Sequence, residues 1–167
     1  LGAAGEMGET LARYLSQSKR IGKLILADRN AEGAARVASQ LSGTATCEVV
    51  NKTVDILDEK SLKDLLSEID FIANAAGPFF RLGVSVLKRA IETRTPYLDI
   101  CDDPETTLEM LALDSDARTA GVGALIGMGA SPGVLNLMAR RAANRLDEIV
   151  DCYTVWPLDT ETPLDRE

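Results

Sequence analysis

Three glycines at three-residue spacing, Gly2, Gly5 and Gly8, stand in the stretch Gly2-Ala3-Ala4-Gly5-Glu6-Met7-Gly8, which runs directly into Glu9-Thr10-Leu11-Ala12-Arg13-Tyr14-Leu15. Such a stretch does anion chemistry. Glycine lets the backbone turn tightly and come close to a pyrophosphate, and the unpaired N–H groups and positive dipole end of the following helix face the anion. The pattern G-x-G-x-x-G would need glycine where Ala3 stands, so this is a variant spacing, and a small-residue turn that only packs strand against helix explains the heptapeptide equally well. Asp28 lies 20 positions after Gly8 and ends the apolar run Lys23-Leu24-Ile25-Leu26-Ala27. A carboxylate there can accept hydrogen bonds from the adenosine ribose hydroxyls and would repel a 2′-phosphate; a helix cap or a solvated strand-end acid is the plainer alternative. Arg29 complicates the choice, because a guanidinium can hold that phosphate or lie on the adenine face. The chain has no histidine, which removes His-based acid–base chemistry, Ser-His triads and His-ligated metals from its own residues.

Further along, Asp55 ends a β-branched run and can bond the adenine amine, or be an ordinary surface acid. In Asp70-Phe71-Ile72-Ala73-Asn74-Ala75-Ala76-Gly77-Pro78-Phe79 an apolar run ends in small residues. Asn74 and the backbone of Ala75, Ala76 and Gly77 can line the ribose on the nicotinamide side of a cleft, and a tight Gly-Pro turn accounts for the same residues. Asp102 and Asp103 precede Pro104, which reads as helix capping rather than a magnesium site, and no metal is expected. A second glycine-rich turn, Gly129-Ala130-Ser131-Pro132-Gly133, mirrors the first, with Ser131 as cap and Pro132 opening a helix whose buried side is Val134, Leu137, Met138 and Ala142. Arg140, Arg141 and Arg145 suit the end of that helix as solvated charges.

These residues need elements to hold them, and the chain alternates strand and helix about six times. Helical patterns comprise Met7, Leu11, Tyr14 and Leu15; Ala34, Val37, Ala38 and Leu41; Leu62, Leu65, Leu66 and Ile69; Val84, Leu87, Ala90 and Ile91; and a run from Pro104 to about Ala120 with a bend near Asp114. Strands fall at 23–28, 47–56, 70–74, 97–100 and 122–128, each running into a turn that carries one of the candidate residues or leads into the next helix. Alternation of this kind predicts an α/β fold, a Rossmann-like doubly wound parallel sheet of about six strands whose ligand lies at the C-terminal strand ends. A fingerprint turn should follow a buried strand, yet only Leu1 precedes Gly2, so the first strand is expected to be truncated. Residues 1–146 are expected to be the dinucleotide-binding domain. Residues 147–167, opening with a strand over Glu148–Trp156, are expected to start a truncated α+β domain.

Net charge −8, from 18 basic and 26 acidic residues, argues against nucleic-acid and anionic membrane partners. Cys47, Cys101 and Cys152 form no C-x-x-C pair and fit a reducing cytoplasm, and no apolar run reaches the about 18 residues of a membrane span. A short-chain dehydrogenase would need Tyr-x-x-x-Lys, and none of Tyr14, Tyr97 or Tyr153 has lysine four positions on.

Taken together, Gly2–Gly8, Ala27-Asp28-Arg29-Asn30, Asn74–Phe79, Tyr97-Leu98-Asp99 and Gly129–Gly133 resemble the nicotinamide-cofactor domain of the saccharopine dehydrogenase family, over Gly2 to about Trp156. The resemblance implies an NAD- or NADP-dependent oxidoreductase acting on a carbon–nitrogen bond between an amino acid and a keto acid or aldehyde, with hydride passing to or from the nicotinamide. It assigns Ala4, Gly5, Glu6 and Met7 to the pyrophosphate, Asp28 and Arg29 to the adenosine ribose, Asp55 and Ile56 to the adenine, Asn74 to Gly77 to the nicotinamide half, and Gly129, Ala130 and Pro132 to the nicotinamide and substrate. It further implies an amino-acid substrate and a homodimer formed through the second domain. Asp28 tips the cofactor towards NAD, and Arg29 keeps NADP open. The competing reading is a dinucleotide sensor without catalysis.

Overall fold

A computed structural model describes residues 1–155 of the chain. Two parallel sheets form its centre. Strand β1 (Lys23–Asp28) pairs with β2 (Glu48–Thr53), Lys23 opposite Glu48 and Asp28 opposite Thr53. Strands β3 (Ile72–Asn74), β4 (Tyr97–Asp99) and β5 (Ala124–Leu125) form the other, in that order, with Asn74 opposite Asp99. The first three residues stitch the sheets together. Leu1 N donates to the Ala73 carbonyl at 2.8 Å and Ala75 N to the Leu1 carbonyl at 3.0 Å, while Ala3 N donates to the Ala27 carbonyl at 3.3 Å on the other side. The spatial order is therefore β2, β1, the Leu1–Ala3 segment, β3, β4, β5, the strand order of a dinucleotide fold.

Helix α1 (Glu6–Ser16) follows the first turn, but not on the expected face. Its buried residues are Gly8, Ala12 and Ser16, while Met7 and Tyr14 face outward. Spacing of i, i+4, i+8 in small residues lets the helix axis approach the sheet closely, and the bulkier Leu11 and Leu15 are displaced to its flanks, half-buried. By contrast, α2 (Ala31–Ser42) buries Ala34, Val37, Ala38 and Leu41, and α3 (Glu59–Leu66) buries Leu62, Leu65 and Leu66, both as their periodicity predicts. Each starts at a side-chain cap: Asn30 Oδ1 accepts from Gly33 N at 2.9 Å, and Asp58 Oδ1 accepts from Lys60 N at 3.0 Å. Helix α4 (Phe79–Glu92) buries Phe79, Val86, Leu87, Ala90 and Ile91 and leaves Val84 only half-buried. These side chains pack with Leu62, Leu66, Ile72, Tyr97, Met110 and Val122 into the larger core.

The second half departs further from expectation. The run from Pro104 is two helices, α5 (Pro104–Leu111) and α6 (Asp114–Ala120), the latter stopped by Gly121 in the left-handed conformation at φ 71°. Asp103 precedes Pro104 at the cap position, but its backbone carbonyl, not its side chain, receives the Thr107 N–H at 2.9 Å. Five strands are present among the described residues rather than six, and the strand expected over 122–128 is only two residues long, because β5 lies at the edge of its sheet and pairs with β4 alone. Helix α7 (Leu135–Ala143) buries none of its residues. Val134, Leu137 and Met138, the expected core face, are exposed because nothing in the described chain lies against them. No strand forms over 148–155, where no partner strand runs alongside and weak alternation cannot hold an extended chain by itself; Trp156 lies outside the described residues. Among the described residues no helix is long and apolar enough to cross a membrane.

Candidate functional site

The C-terminal ends of β1, β2 and β3 open onto a cleft of about 430 Å³, within the range of small-molecule sites. Its floor is the first glycine turn. Gly2 adopts φ 76°, and a Cβ on it would lie 2.7 Å from Ala76 N and 2.8 Å from the Ala75 carbonyl oxygen, so only glycine lets the turn pass the end of β3. A Cβ on Gly8 would overlap the Gly2 carbonyl group, which fixes glycine where α1 crosses the turn. Gly5 N donates to the Gly2 carbonyl at 3.1 Å and Glu9 N to the Gly5 carbonyl at 2.8 Å. No side chain caps α1, and the amides of Glu6 and Met7 have no protein partner among the described residues. A helix start in that state is built to receive an anion.

Asp28 has a second task that its position in the sequence does not disclose. Its Oδ2 accepts from Ala4 N at 2.9 Å and its Oδ1 from Asn30 N at 2.9 Å. The carboxylate therefore ties the glycine turn to the start of α2, and Ala4's amide is engaged by Asp28 rather than turned to a pyrophosphate. Each oxygen retains acceptor capacity for a ribose hydroxyl. Arg29 is exposed at the rim and makes no ion pair among the described residues. On the β2 side, Val54 N donates to the Asp28 carbonyl at 3.0 Å, and Asp55 Oδ1 accepts from Leu57 N at 2.9 Å, folding 54–57 into the far wall.

Across the floor, Ala75, Ala76, Gly77 and Pro78 form the opposite wall, with Arg81 and Leu82 from the first turn of α4. Asn74 does not line the cleft. It is 1 % exposed, and its Oδ1 holds Ala76 N at 3.1 Å while its Nδ2 donates to the Tyr97 hydroxyl at 3.2 Å. Among the sequence-derived candidates, the cleft gathers Gly2, Ala4, Gly5, Asp28, Arg29, Asp55, Ile56, Ala75, Ala76 and Gly77. Glu6 and Met7 sit at the adjoining helix start. Gly129, Ala130 and Pro132 are not brought in; Gly129 lies against Ile100 beyond the end of β4.

Leu1, Asn30, Val54, Leu57, Pro78, Arg81 and Leu82 line the cleft without being among the sequence-derived candidates. Asn30 and Leu57 carried a readable signal, adjacency to the strand-end acids Asp28 and Asp55. Arg81 carried none, since an arginine in the first turn of a helix looks like any solvated charge. Among the described residues no group of three or more His, Cys, Asp or Glu side chains is placed to hold a metal ion.

Comparison with known proteins agrees with this geometry. The chain is 30% identical over 155 residues to a saccharopine dehydrogenase-like oxidoreductase of Rattus norvegicus, covering 84% of this chain and 36% of that protein. It is 24% identical over 174 residues to carboxynorspermidine synthase of Vibrio cholerae, covering 93% and 42%, and 30% identical over 108 residues to a lipid droplet localized protein of Caenorhabditis elegans, covering 62% and 25%. It thus spans well under half the length of these relatives. The structure of apo saccharopine dehydrogenase (L-Glu forming) from Saccharomyces cerevisiae superposes with a TM-score of 0.71 at 19% identity over 85% of this chain and 29% of that one. A short-chain dehydrogenase from Sphingobium yanoikuyae in complex with NADPH gives 0.52 at 18% identity over 75% and 68%. At such identities the structural likenesses establish the fold. The model of the saccharopine dehydrogenase NADP binding domain matches residues 1–125, a stretch that holds every residue lining the cleft, and the chain belongs to that family.

Proposed function

We propose that this chain is the NADP-binding portion of an oxidoreductase that makes or breaks a carbon–nitrogen bond between an amino acid and a keto acid or aldehyde. One observation carries the reading: the glycine turn, with Gly2 and Gly5 lining the cleft, runs between a wall bearing Asp28, Arg29 and Asp55 and a wall made by the Ala75–Pro78 turn, and it leads into a helix start whose Glu6 and Met7 amides have no partner among the described residues. That sequence of groups suits a ligand with a pyrophosphate between two sugar–base halves.

In this reading the amides and the α1 dipole hold the pyrophosphate, and Asp28 orients the adenosine ribose through whatever acceptor capacity its two backbone bonds leave. Arg29, which makes no ion pair among the described residues, offers its guanidinium to a 2′-phosphate. Because Asp28 is engaged with backbone N–H groups and the family is that of an NADP-binding domain, the preference moves from NAD, to which Asp28 alone pointed, to NADP. A nicotinamide held on the Ala75–Pro78 side would supply hydride donor or acceptor chemistry. The titratable side chains lining the cleft are Asp28, Arg29, Asp55 and Arg81, so the proton that carbon–nitrogen chemistry moves is assigned to a residue outside it. The amino-acid substrate, a homodimer and a cytoplasmic site of action belong to the same proposal, with the names of the rat and Vibrio relatives as support for the substrate class.

Titrating the protein with NADPH and NADH, followed by cofactor fluorescence, tests it. NADPH should bind more tightly, and Arg29→Ala should cut the NADPH-to-NADH affinity ratio by about tenfold, the size of one lost charge-assisted contact. Binding of neither cofactor defeats the reading. If NADPH binds but the whole protein oxidises none across a panel of amino acids paired with keto acids, the dinucleotide sensor takes its place.

A further inference from the structure

The pair Tyr97 and Asp99 serves no purpose in the cleft as described, yet it is among the most deeply buried polar matter in the molecule, at 1 % and 0 % exposed. Two residues apart on β4, the pair faces one side of the sheet, and Asn74, opposite Asp99 on β3, faces the same side. The three side chains form an unbroken chain of hydrogen bonds. Asn74 Nδ2 donates to the Tyr97 hydroxyl at 3.2 Å, and that hydroxyl donates to Asp99 Oδ2 at 2.7 Å. Asp99 Oδ1 accepts from Cys101 N at 3.0 Å and Gly127 N at 2.8 Å, and the Asp99 backbone carbonyl accepts from Met128 N at 2.8 Å. At the other end, Asn74 Oδ1 holds Ala76 N.

We propose that Asn74, Tyr97 and Asp99 are positioning residues that set the nicotinamide-side wall, by fixing the Ala75–Gly77 turn at one end of a buried strut and the Gly127–Met128 segment at the other. The proposal rests on the reading of the cleft as a dinucleotide site. Ala76 cannot shift without releasing Asn74, and Asn74 cannot reorient without stripping a bond from the Tyr97 hydroxyl. Burial, and then the Asp99 carboxylate beside it, push the Tyr97 hydroxyl far above its ordinary range, so it stays protonated and continues to donate. No buried side-chain polar atom among the described residues is left without a partner, so the strut is complete as it stands. Its reach is one-sided: none of its bonds goes to Asp28, Arg29 or Asp55, which form the adenine side.

That asymmetry gives the test. Dissociation constants are measured for whole NADPH and for 2′,5′-ADP, the adenine half alone, in the wild type and in Tyr97→Phe and Asp99→Asn. The strut predicts that both variants weaken NADPH by roughly tenfold, as for one buried hydrogen bond, and leave 2′,5′-ADP within about twofold. Equal weakening of both ligands, or of neither, overturns the proposal, whereas a wild type that binds neither ligand defeats the underlying reading instead. Native-state hydrogen exchange on the wild type needs no variant and so survives a failure to fold. The Ala76, Gly127 and Met128 amides should open together, with one free energy distinct from that of Val54 on the adenine wall, and independent opening of Ala76 and Gly127 counts against the strut.

Discussion

The molecule has two glycine-rich turns leading from a sheet to a helix, and they do opposite things. In the first, the chain leaves Gly5 in extended conformation and is helical from Glu6, with the Glu6 and Met7 amides without a partner among the described residues and the small residues Gly8, Ala12 and Ser16 buried. In the second, Ser131 is extended, Pro132 has ψ −178° and Gly133 has φ 108°, so regular helix is delayed to Leu135; Ser131 makes no capping bond. A Cβ on Gly133 would lie 2.9 Å from the Gly127 carbonyl oxygen, so that glycine is spent on folding the turn back upon itself. Similar composition thus yields an anion seat in one place and a self-packed knot in the other. What separates them is the next residues: Glu6 and Met7 enter the helix at once, whereas Pro132 at ψ −178° and Gly133 at φ 108° leave the helical region before Leu135.

The sharpest way to break this contrast is a matched pair of glycine substitutions. Gly8→Ala puts a Cβ into the Gly2 carbonyl, and we expect a loss of about 3 kcal/mol or more by chemical denaturation, with NADPH binding lost. Gly129→Ala meets only the Pro132 carbonyl oxygen at 3.5 Å and Ile100 Cβ at 3.6 Å, ordinary contacts, at φ −83°. Its effect on NADPH affinity should be under about twofold, within the error of a surface change. A Gly129→Ala variant that binds as poorly as Gly8→Ala would return the second turn to the cleft and erase the distinction.

A middle-sized effect comes from pH, since only the second turn hangs on Tyr97 through Asp99. Burial raises the Tyr97 pKa in the folded protein above the unfolded value of about 10. The group's contribution is therefore complete below about pH 10 and is lost as pH rises from there towards the folded pKa, by up to about 1.4 kcal/mol per pH unit. Stability of the wild type should fall more steeply above that point than that of Tyr97→Phe, which has no proton to lose there. In exchange measurements the Gly127 amide should lose protection before the Glu9 amide does. Parallel slopes in wild type and variant would remove Tyr97 from the account.

Legibility followed whether an element's partner is local or distant. Helices α2 and α3 were readable because their apolar residues, such as Val37 and Leu62, face a sheet that needs nothing beyond periodicity to be inferred. Helix α1 departs from its apolar periodicity because burial there is decided by how closely it must approach the sheet, and proximity favours Ala12 and Ser16 over Met7 and Tyr14. In the site, Asp28 and the Ala75–Gly77 turn were legible from their place at strand ends. That Asp28 binds Ala4 N, or that Asp99 reaches Gly127, is a pairing of groups 24 and 28 residues apart, which no spacing rule encodes. Yet Tyr97 and Asp99, two apart in a strand, did carry the sign of a shared face.

The smallest effect separates the two helices that follow the turns. α1 is held by three small buried residues, and α7 buries nothing among the described residues, with Leu137 and Met138 at 64% and 61% exposed. An exposed leucine has little transfer free energy to lose, so Leu137→Ser should change stability by no more than about 0.5 kcal/mol in this chain. Ala12→Leu, which adds volume between α1 and the sheet, should cost about 1–3 kcal/mol despite being the more apolar sequence. Denaturant midpoints at equal m-value compare the two directly. If Leu137→Ser costs as much as Ala12→Leu, α7 has a covering partner in solution, and the second turn leads to a packed helix after all.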